Sequence, residues 1–442
     1  MHGPALREPV AGMYPRCGAA VARRRSGVVE PKVAVEEDAY DPFEAFDHAQ
    51  GIGRIEDPYP RLAELRREAP IQRTSMWRMF DIGGPPADIY NEAPFYSALS
   101  YNAVTQILKD SVRFSSRIYA DAMGPVMGHS LLEMDAPEHG TYRTIIEQAF
   151  SRREMERWER EVITPAINSF IDKFIERGSA DLVREFTFPF PIYVITGLLG
   201  LPPEDLPQFH RQAVQLINVG GDYPRAIEAS KKLHDYLIVV IEEKRRRPQE
   251  DLISLLAHSE VDGHRLDDEE ICAFLRLLLP AGAETTYRSS SNLLFGLLTH
   301  AGQLDALRKD RSLMPQAIEE GLRWEPPLLS ILRTAAQDTE VEGVAVPQGA
   351  IISVWVGSAN HDETRWENPD AFDIYRKRIP HIAFGFGPHV CLGQHLARME
   401  TTTALNLLFD RLPNLRLDPN AEPSPVSGLM FRSPIRLPVV FG

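Results

Sequence analysis

The residues best suited to chemistry lie near the C-terminus, where residues 383–398 read AFGFGPHVCLGQHLAR. The stretch holds Gly385, Gly387 and Gly393, two histidines (His389 and His395), and Cys391, one of only three cysteines in the chain. Glycine reaches backbone dihedrals that other residues avoid, so the approach to Cys391 can be tight. The residues after it, LGQHLARMETTTALNLLFDRL, form an amphipathic helical pattern, which puts Cys391 at or near a helix N-terminus. That position is expected to lower the thiol pKa and favour thiolate, the form that binds metal. Three chemistries compete. Cys391 could be a plain buried cysteine. With His389 and His395 it could form part of a zinc site. It could also be a single axial thiolate beneath a haem, with the glycines making room for a flat macrocycle.

Three other stretches carry groups at chemical spacing. PAGAETTYR (280–288) sits inside a long helical pattern. Pro280 removes one backbone hydrogen bond and is expected to kink the helix. Ala281 and Gly282 leave space beside it, and Thr285 can bond the carbonyl of Ala281 four residues back. With Glu284 next to it, the hydroxyl makes a plausible proton path. EEGLRWEPP (319–327) places Glu320 and Arg323 three apart, on one helix face. MDAPEHGTYR (134–143) places His139 and Arg143 four apart, again on one face.

The elements that must position these groups are mostly helices. Helical patterns run over 60–68, 142–148, 153–176 (interrupted at Pro165), 226–244, 267–300 and 315–324. Asp267 with Glu270 makes a capping box ahead of the longest of them. Strand-like pieces occur at 343–356 and in the terminal SPIRLPVVF, and no internal repeat is present. The fold class expected is mainly α (α+β), a helical body with small sheets. Residues 1–40 are basic and aperiodic and are expected to be a disordered tail or an over-long start, leaving 41–442 as a single domain.

Composition narrows the function. The 442 residues are 43% apolar, enough to bury a core and a cofactor. A net charge of −14 argues against nucleic-acid binding, which needs a basic face. Cys17, Cys272 and Cys391 are far apart and odd in number, which predicts a reducing, cytoplasmic setting rather than a disulfide framework. No run approaches the roughly 18 apolar residues of a membrane span.

Phe384, Gly385, Gly387, His389, Cys391 and Gly393 fit the pattern Phe-Gly-x-Gly-x-His-x-Cys-x-Gly. This resembles the haem-binding loop of the cytochrome P-450 family, soluble bacterial type, and the resemblance extends from about residue 58 to the C-terminus. It implies the fold of that family, a helical domain around a haem, with haem b as cofactor and Cys391 as the axial iron ligand. Phe384, Gly385 and Gly393 would belong to the haem loop. His139, Arg143, Arg333 (in ILRTAAQD) and His389 would contact the propionates. Ala281 and Gly282 would face the iron, and Glu284 with Thr285 would be the acid–alcohol pair that delivers protons. Glu320 and Arg323 would support the haem loop. The family often adds an arginine in Pro-Glu-Arg-Phe; here Ala371 occupies that position, and Arg376 is the substitute expected.

The reaction implied is monooxygenation: one atom of dioxygen enters a substrate C–H bond, with electrons from a separate ferredoxin and ferredoxin reductase. Arg398 is a candidate contact for the ferredoxin. Substrate-contact segments of the family map onto 118–130, 216–221, 278–285, 328–332 and 429–431. Met123, Met127, Leu328, Leu329, Ile331, Met430 and Phe431 within or beside them suggest an apolar pocket for a terpenoid, steroid, fatty acyl or aromatic compound. A monomer is expected. The alternatives are a peroxide-driven haem-thiolate peroxygenase and a non-enzymatic haem-binding sensor.

Overall fold

The computed structural model describes residues 42–49, 51–81, 93–218 and 222–442. The basic stretch 1–40 lies outside the described residues, as do 219–221 of the substrate-contact segment 216–221. Helices at Tyr59–Glu68, Glu138–Ala149, Tyr223–Arg246 and Met314–Trp324 follow the apolar periodicity. The pattern at 153–176 breaks into helices Arg152–Trp158 and Thr164–Asp172, joined by a π-helical turn over Glu159–Ile163. The cause is Pro165, which has no N–H for the carbonyl four residues back. The chain widens before it, with the Thr164 N–H donating to the Glu159 carbonyl, and Pro165 then sits in the first turn of the next helix.

The central helix runs unbroken over Asp268–Thr299, 32 residues with Pro280 inside. Its N-terminus carries the reciprocal Asp267–Glu270 capping box. Helix Phe190–Leu198 crosses it at Gly282, where a Cβ would lie 2.6 Å from Ile195 Cδ1. Leu275, Leu279, Leu294 and Leu297 are fully buried, and most of the helix is covered on all but one stripe, as befits a helix through the middle of a core. The main hydrophobic cluster gathers on it.

The largest sheet has five strands in the order Ile71–Gln72, Phe95–Ala98, Ile351–Val354, Ile331–Ala335, Phe114–Ser115. Phe95–Ala98 pairs parallel with Ile351–Val354; the other pairs are antiparallel. The strand-like run 343–356 therefore divides. Val344–Val346 pairs with Thr339–Val341 in a separate two-stranded sheet, and Gly349, at φ +79°, turns the chain before Ile351. The terminal strand Pro438–Val440 pairs with Ser179–Asp181 and Arg416–Leu417. Among the described residues no helix is long and apolar enough to cross a membrane.

Candidate functional site

The glycine-rich loop is shaped by two left-handed residues, Gly385 (φ +75°) and Gly387 (φ +74°). At Gly387 a Cβ would fall 2.3 Å from the Leu108 carbonyl oxygen, so only glycine lets the loop lie against helix Tyr101–Lys109. The Cys391 N–H closes the loop by donating to the Phe384 carbonyl at 2.8 Å. Helix Gln394–Arg411 begins after Gly393, where a Cβ would meet nothing within 4 Å. Cys391 thus lies three residues before a helix start, as its surroundings predict, with open space beside Gly393. Its pKa moves the other way from expectation. Burial pushes the thiol up, and this outweighs the Gly393 amide and the Arg143 and Arg398 charges that pull it down.

Behind the loop, Glu320 and Arg323 form a two-pronged pair, Nε–Oε2 and Nη2–Oε1 both at 2.8 Å, with both side chains buried. Arg376, the substitute expected for the arginine absent at Ala371, reaches the same carboxylate through Nε at 3.1 and 3.2 Å. Arg323 also donates to the carbonyls of Asn360, Pro369 and Ala371, and Arg376 to those of Glu367, Asn368 and Ala371. The three side chains thereby fix the backbone of 367–376.

On the other side of Cys391 four cationic or donor groups converge. The His139 and His389 rings lie 4.0 Å apart, and His389 Nε2 is 3.3 Å from Ser116 Oγ. Arg143 donates to the Val390 carbonyl at 2.7 Å and pairs with Glu147. Arg333 is 5% exposed, yet among the described residues no carboxylate lies within ion-pair distance of it. Burial holds both histidines below their ordinary pKa, His389 at about 3; the charges of Arg143 and Arg333 add to this at both, and that of His139 at His389, while Asp135 and Glu147 oppose it at His139. Glu147 is the one carboxylate paired within this cluster, on Arg143, so the cations outnumber their partners and the chemistry is that of a receptor for carboxylates.

One stripe of the central helix is uncovered. Ala281 is exposed and Thr285 and Ser289 are half-buried, at i, i+4 and i+8, while Ala283, Glu284 and Thr286 are buried. Ser289 shares a small cleft with Phe384, Ala397 and Thr401, so the stripe leads onto the glycine-rich loop. Thr285 Oγ1 donates to the Ala281 carbonyl at 2.7 Å. Gly282, expected with Ala281 on the open side, instead meets Ile195, because the neighbouring helix presses in there. Glu284 is 3% exposed beside Arg288, and its burial raises its pKa to about 7 against the pull of that arginine.

The apolar candidates separate. Met123, Leu328, Ile331, Met430 and Phe431 are half-buried, and Leu328 bridges to Phe431. Met127 and Leu329 have at most 2% exposure and pack into the core instead, Leu329 against Tyr59 and Trp355. Arg398 grips Glu319 at 2.6 and 3.0 Å and lies over the Phe384 ring, which ties it to the loop rather than leaving it a free surface cation. Sequence reasoning missed Ser116, the buried Glu325–Arg432 pair (2.9 Å), and Asp135, which accepts from the Ser116 amide and the Ser115 hydroxyl. Nothing local marks any of them.

The sequence model of the family described as Cytochrome P450 matches residues 207–434. The chain belongs to the cytochrome P450 family. A putative cytochrome P450, YjiB, of Bacillus subtilis (strain 168) is 35% identical over 81% of this chain and 88% of its own length. A steroid C26-monooxygenase of Mycobacterium tuberculosis (strain H37Rv) is 36% identical over 70% of this chain and 80% of its own. The solved structure of CYP109E1 from Bacillus megaterium with testosterone is similar at TM-score 0.77 and 30% identity, covering 87% of this chain and 99% of that one. P450BioI, solved with acyl carrier protein bearing hexadec-9Z-enoic acid, is similar at TM-score 0.76 and 31% identity, covering 87% and 98%. This P450 is accordingly a monooxygenase of the haem-dependent family, with the P450 fold.

The family's haem can be tested against the residues present. A dianionic macrocycle needs an axial thiolate, cations for two propionates, and a flat slot. Cys391 two residues before the open Gly393, the cluster of His139, Arg143, Arg333 and His389 with its unpaired Arg333, and the uncovered stripe of the central helix meet those needs.

Proposed function

We propose that residues 41–442 form one catalytic domain that hydroxylates a C–H bond of an apolar substrate with haem b, drawing electrons from a separate ferredoxin and its reductase. The observation that carries this reading is the gathering of His139, Arg143, Arg333 and His389, without a matching carboxylate for the buried Arg333, next to Cys391. Cys391 would hold the iron, and the four donors would bind the propionates. The bound haem would supply dioxygen activation, the part of the chemistry that side chains do not provide. Thr285 holds a hydroxyl proton at Oγ1 on the open stripe and anchors it to Ala281. Glu284, with its pKa near neutrality, is suited to exchange a proton at the working pH. Glu320, Arg323 and Arg376 keep the loop in the shape that presents the thiolate.

A steroid or fatty acyl substrate is the class we favour. The half-buried Met123, Leu328, Ile331, Met430 and Phe431 offer apolar contact, and relatives act on or were solved with a steroid and a fatty acyl chain. The test is turnover of testosterone and of hexadec-9Z-enoic acid by the holoenzyme, with a surrogate ferredoxin and reductase, against hydrogen peroxide alone. Hydroxylated product in the first arm only supports the proposal. Product only with peroxide supports a peroxygenase, the reading that the acid–alcohol pair Glu284–Thr285 disfavours.

A further inference from the structure

Glu284 is not the only carboxylate that meets Arg288. The Nη2 of Arg288 lies 2.8 Å from Asp47 Oδ1 and 3.3 Å from Glu284 Oε2. Asp47 belongs to the first described helix, Pro42–Ala49. Nη1 donates to Ser433 Oγ at 2.8 Å, and the buried Nε has no hydrogen-bond partner among the described residues. The rings of Phe46, Tyr287 and Phe431 surround the guanidinium, with centroids 4.7 to 5.7 Å away. One nitrogen of one cation therefore serves two carboxylates.

The two are unequal. The Asp47 side chain is 32% exposed and takes the shorter contact, whereas that of Glu284 is 3% exposed and takes the longer one. Water helps Asp47 to stay ionised, and Arg288 can neutralise only one negative charge. A second charge on Glu284 would have to be carried in a dry interior. The titratable groups facing Glu284 are Arg288 and Tyr287 on its own helix and Asp47 from the first helix. The crossing helix Phe190–Leu198 contributes the apolar Ile195 nearby.

We propose that Asp47 is a positioning residue for Glu284: by occupying Arg288 it leaves Glu284 able to keep and release a proton instead of being fixed as that arginine's counter-ion. The first helix then bears on proton delivery without touching the reacting atoms. This consequence rests on the reading of Glu284 as a proton-delivery group; the sharing of Arg288 does not.

The experiment is an infrared pH titration of the substrate-free ferric holoenzyme, with the protonated Glu284 carboxyl band assigned by its loss in Glu284→Gln. In Asp47→Asn the band should titrate at lower pH, with the proton affinity of Glu284 falling about tenfold or more. Asp47→Glu, which keeps the charge, should move the midpoint back toward that of the parent. An unchanged midpoint in Asp47→Asn overturns the proposal, and so does a parent enzyme with no protonated band near neutrality. The proton-delivery reading fails by a different result: hydrogen peroxide formed per NADPH, with testosterone as probe, being the same in Glu284→Gln as in the parent. The infrared outcome stands in either case.

Discussion

Replacing Glu320 by alanine should be among the most damaging changes outside the reaction site itself. Its carboxylate accepts from Arg323 Nε and Nη2 at 2.8 Å, from Arg376 Nε at 3.1 and 3.2 Å, and from the Asp373 amide at 3.0 Å. The side chains of Glu320, Arg323 and Arg376 are 4%, 2% and 12% exposed. Glu320→Ala would leave two guanidiniums inside the protein with only carbonyls for company. Breaking a buried pair this way costs about 3–5 kcal/mol, against a whole-domain stability of about 5–15 kcal/mol. The exposed pair Arg61–Glu64, with side chains 48% and 57% exposed, is the control; Glu64→Ala should cost under about 1 kcal/mol. The assay is urea unfolding of the holoenzymes, comparing midpoints at constant slope. A Glu320→Ala midpoint shift no larger than that of Glu64→Ala would refute the argument that this network holds the backbone of 367–376 in place.

Three further outcomes follow from the same geometry. Arg333→Met removes a buried charge that lacks a carboxylate partner, so the apoprotein should unfold no more easily than the parent while haem dissociates at least tenfold faster; parallel loss of both would contradict the propionate assignment. Thr285→Ala should keep the carbon monoxide spectrum of the parent but release more hydrogen peroxide per NADPH, with Thr285→Ser close to the parent; unchanged peroxide would remove Thr285 from proton delivery. Glu400, 2% exposed, has its pKa raised by burial to about 8, so the folded chain keeps a proton that the unfolded chain loses near its ordinary value of 4.5. Stability should therefore decline as pH rises from 4.5 through 8, and Glu400→Gln should gain about 1–4 kcal/mol at pH 9 but almost nothing at pH 4, measured by urea unfolding.

What could be read from the chain was what is written locally. The glycine-rich loop, the Asp267–Glu270 cap, the Thr285–Ala281 bond and the Glu320–Arg323 pair each depend on residues a few positions apart, where helix geometry fixes who meets whom. Arg376 is expected because the family this chain resembles often has an arginine where Ala371 stands, and Arg376 is a cation a few residues on. The unread parts join distant segments. Asp47 meets Arg288 across 241 positions, Glu325 meets Arg432 across 107, and the parallel pairing of Phe95 with Ile351 spans more than half the chain. Periodicity says nothing of such partners. The direction of the Cys391 shift was misread because helix position is visible in sequence, whereas the burial that outweighs it is a product of the whole fold.

The most direct test of the central claim is the carbon monoxide difference spectrum of the dithionite-reduced holoprotein. A strongly red-shifted Soret band, abolished in Cys391→Ala, is what a haem held by the Cys391 thiolate requires. A haem spectrum without that shift in freshly prepared parent protein would contradict the axial role of Cys391 and, with it, the monooxygenase chemistry built on it.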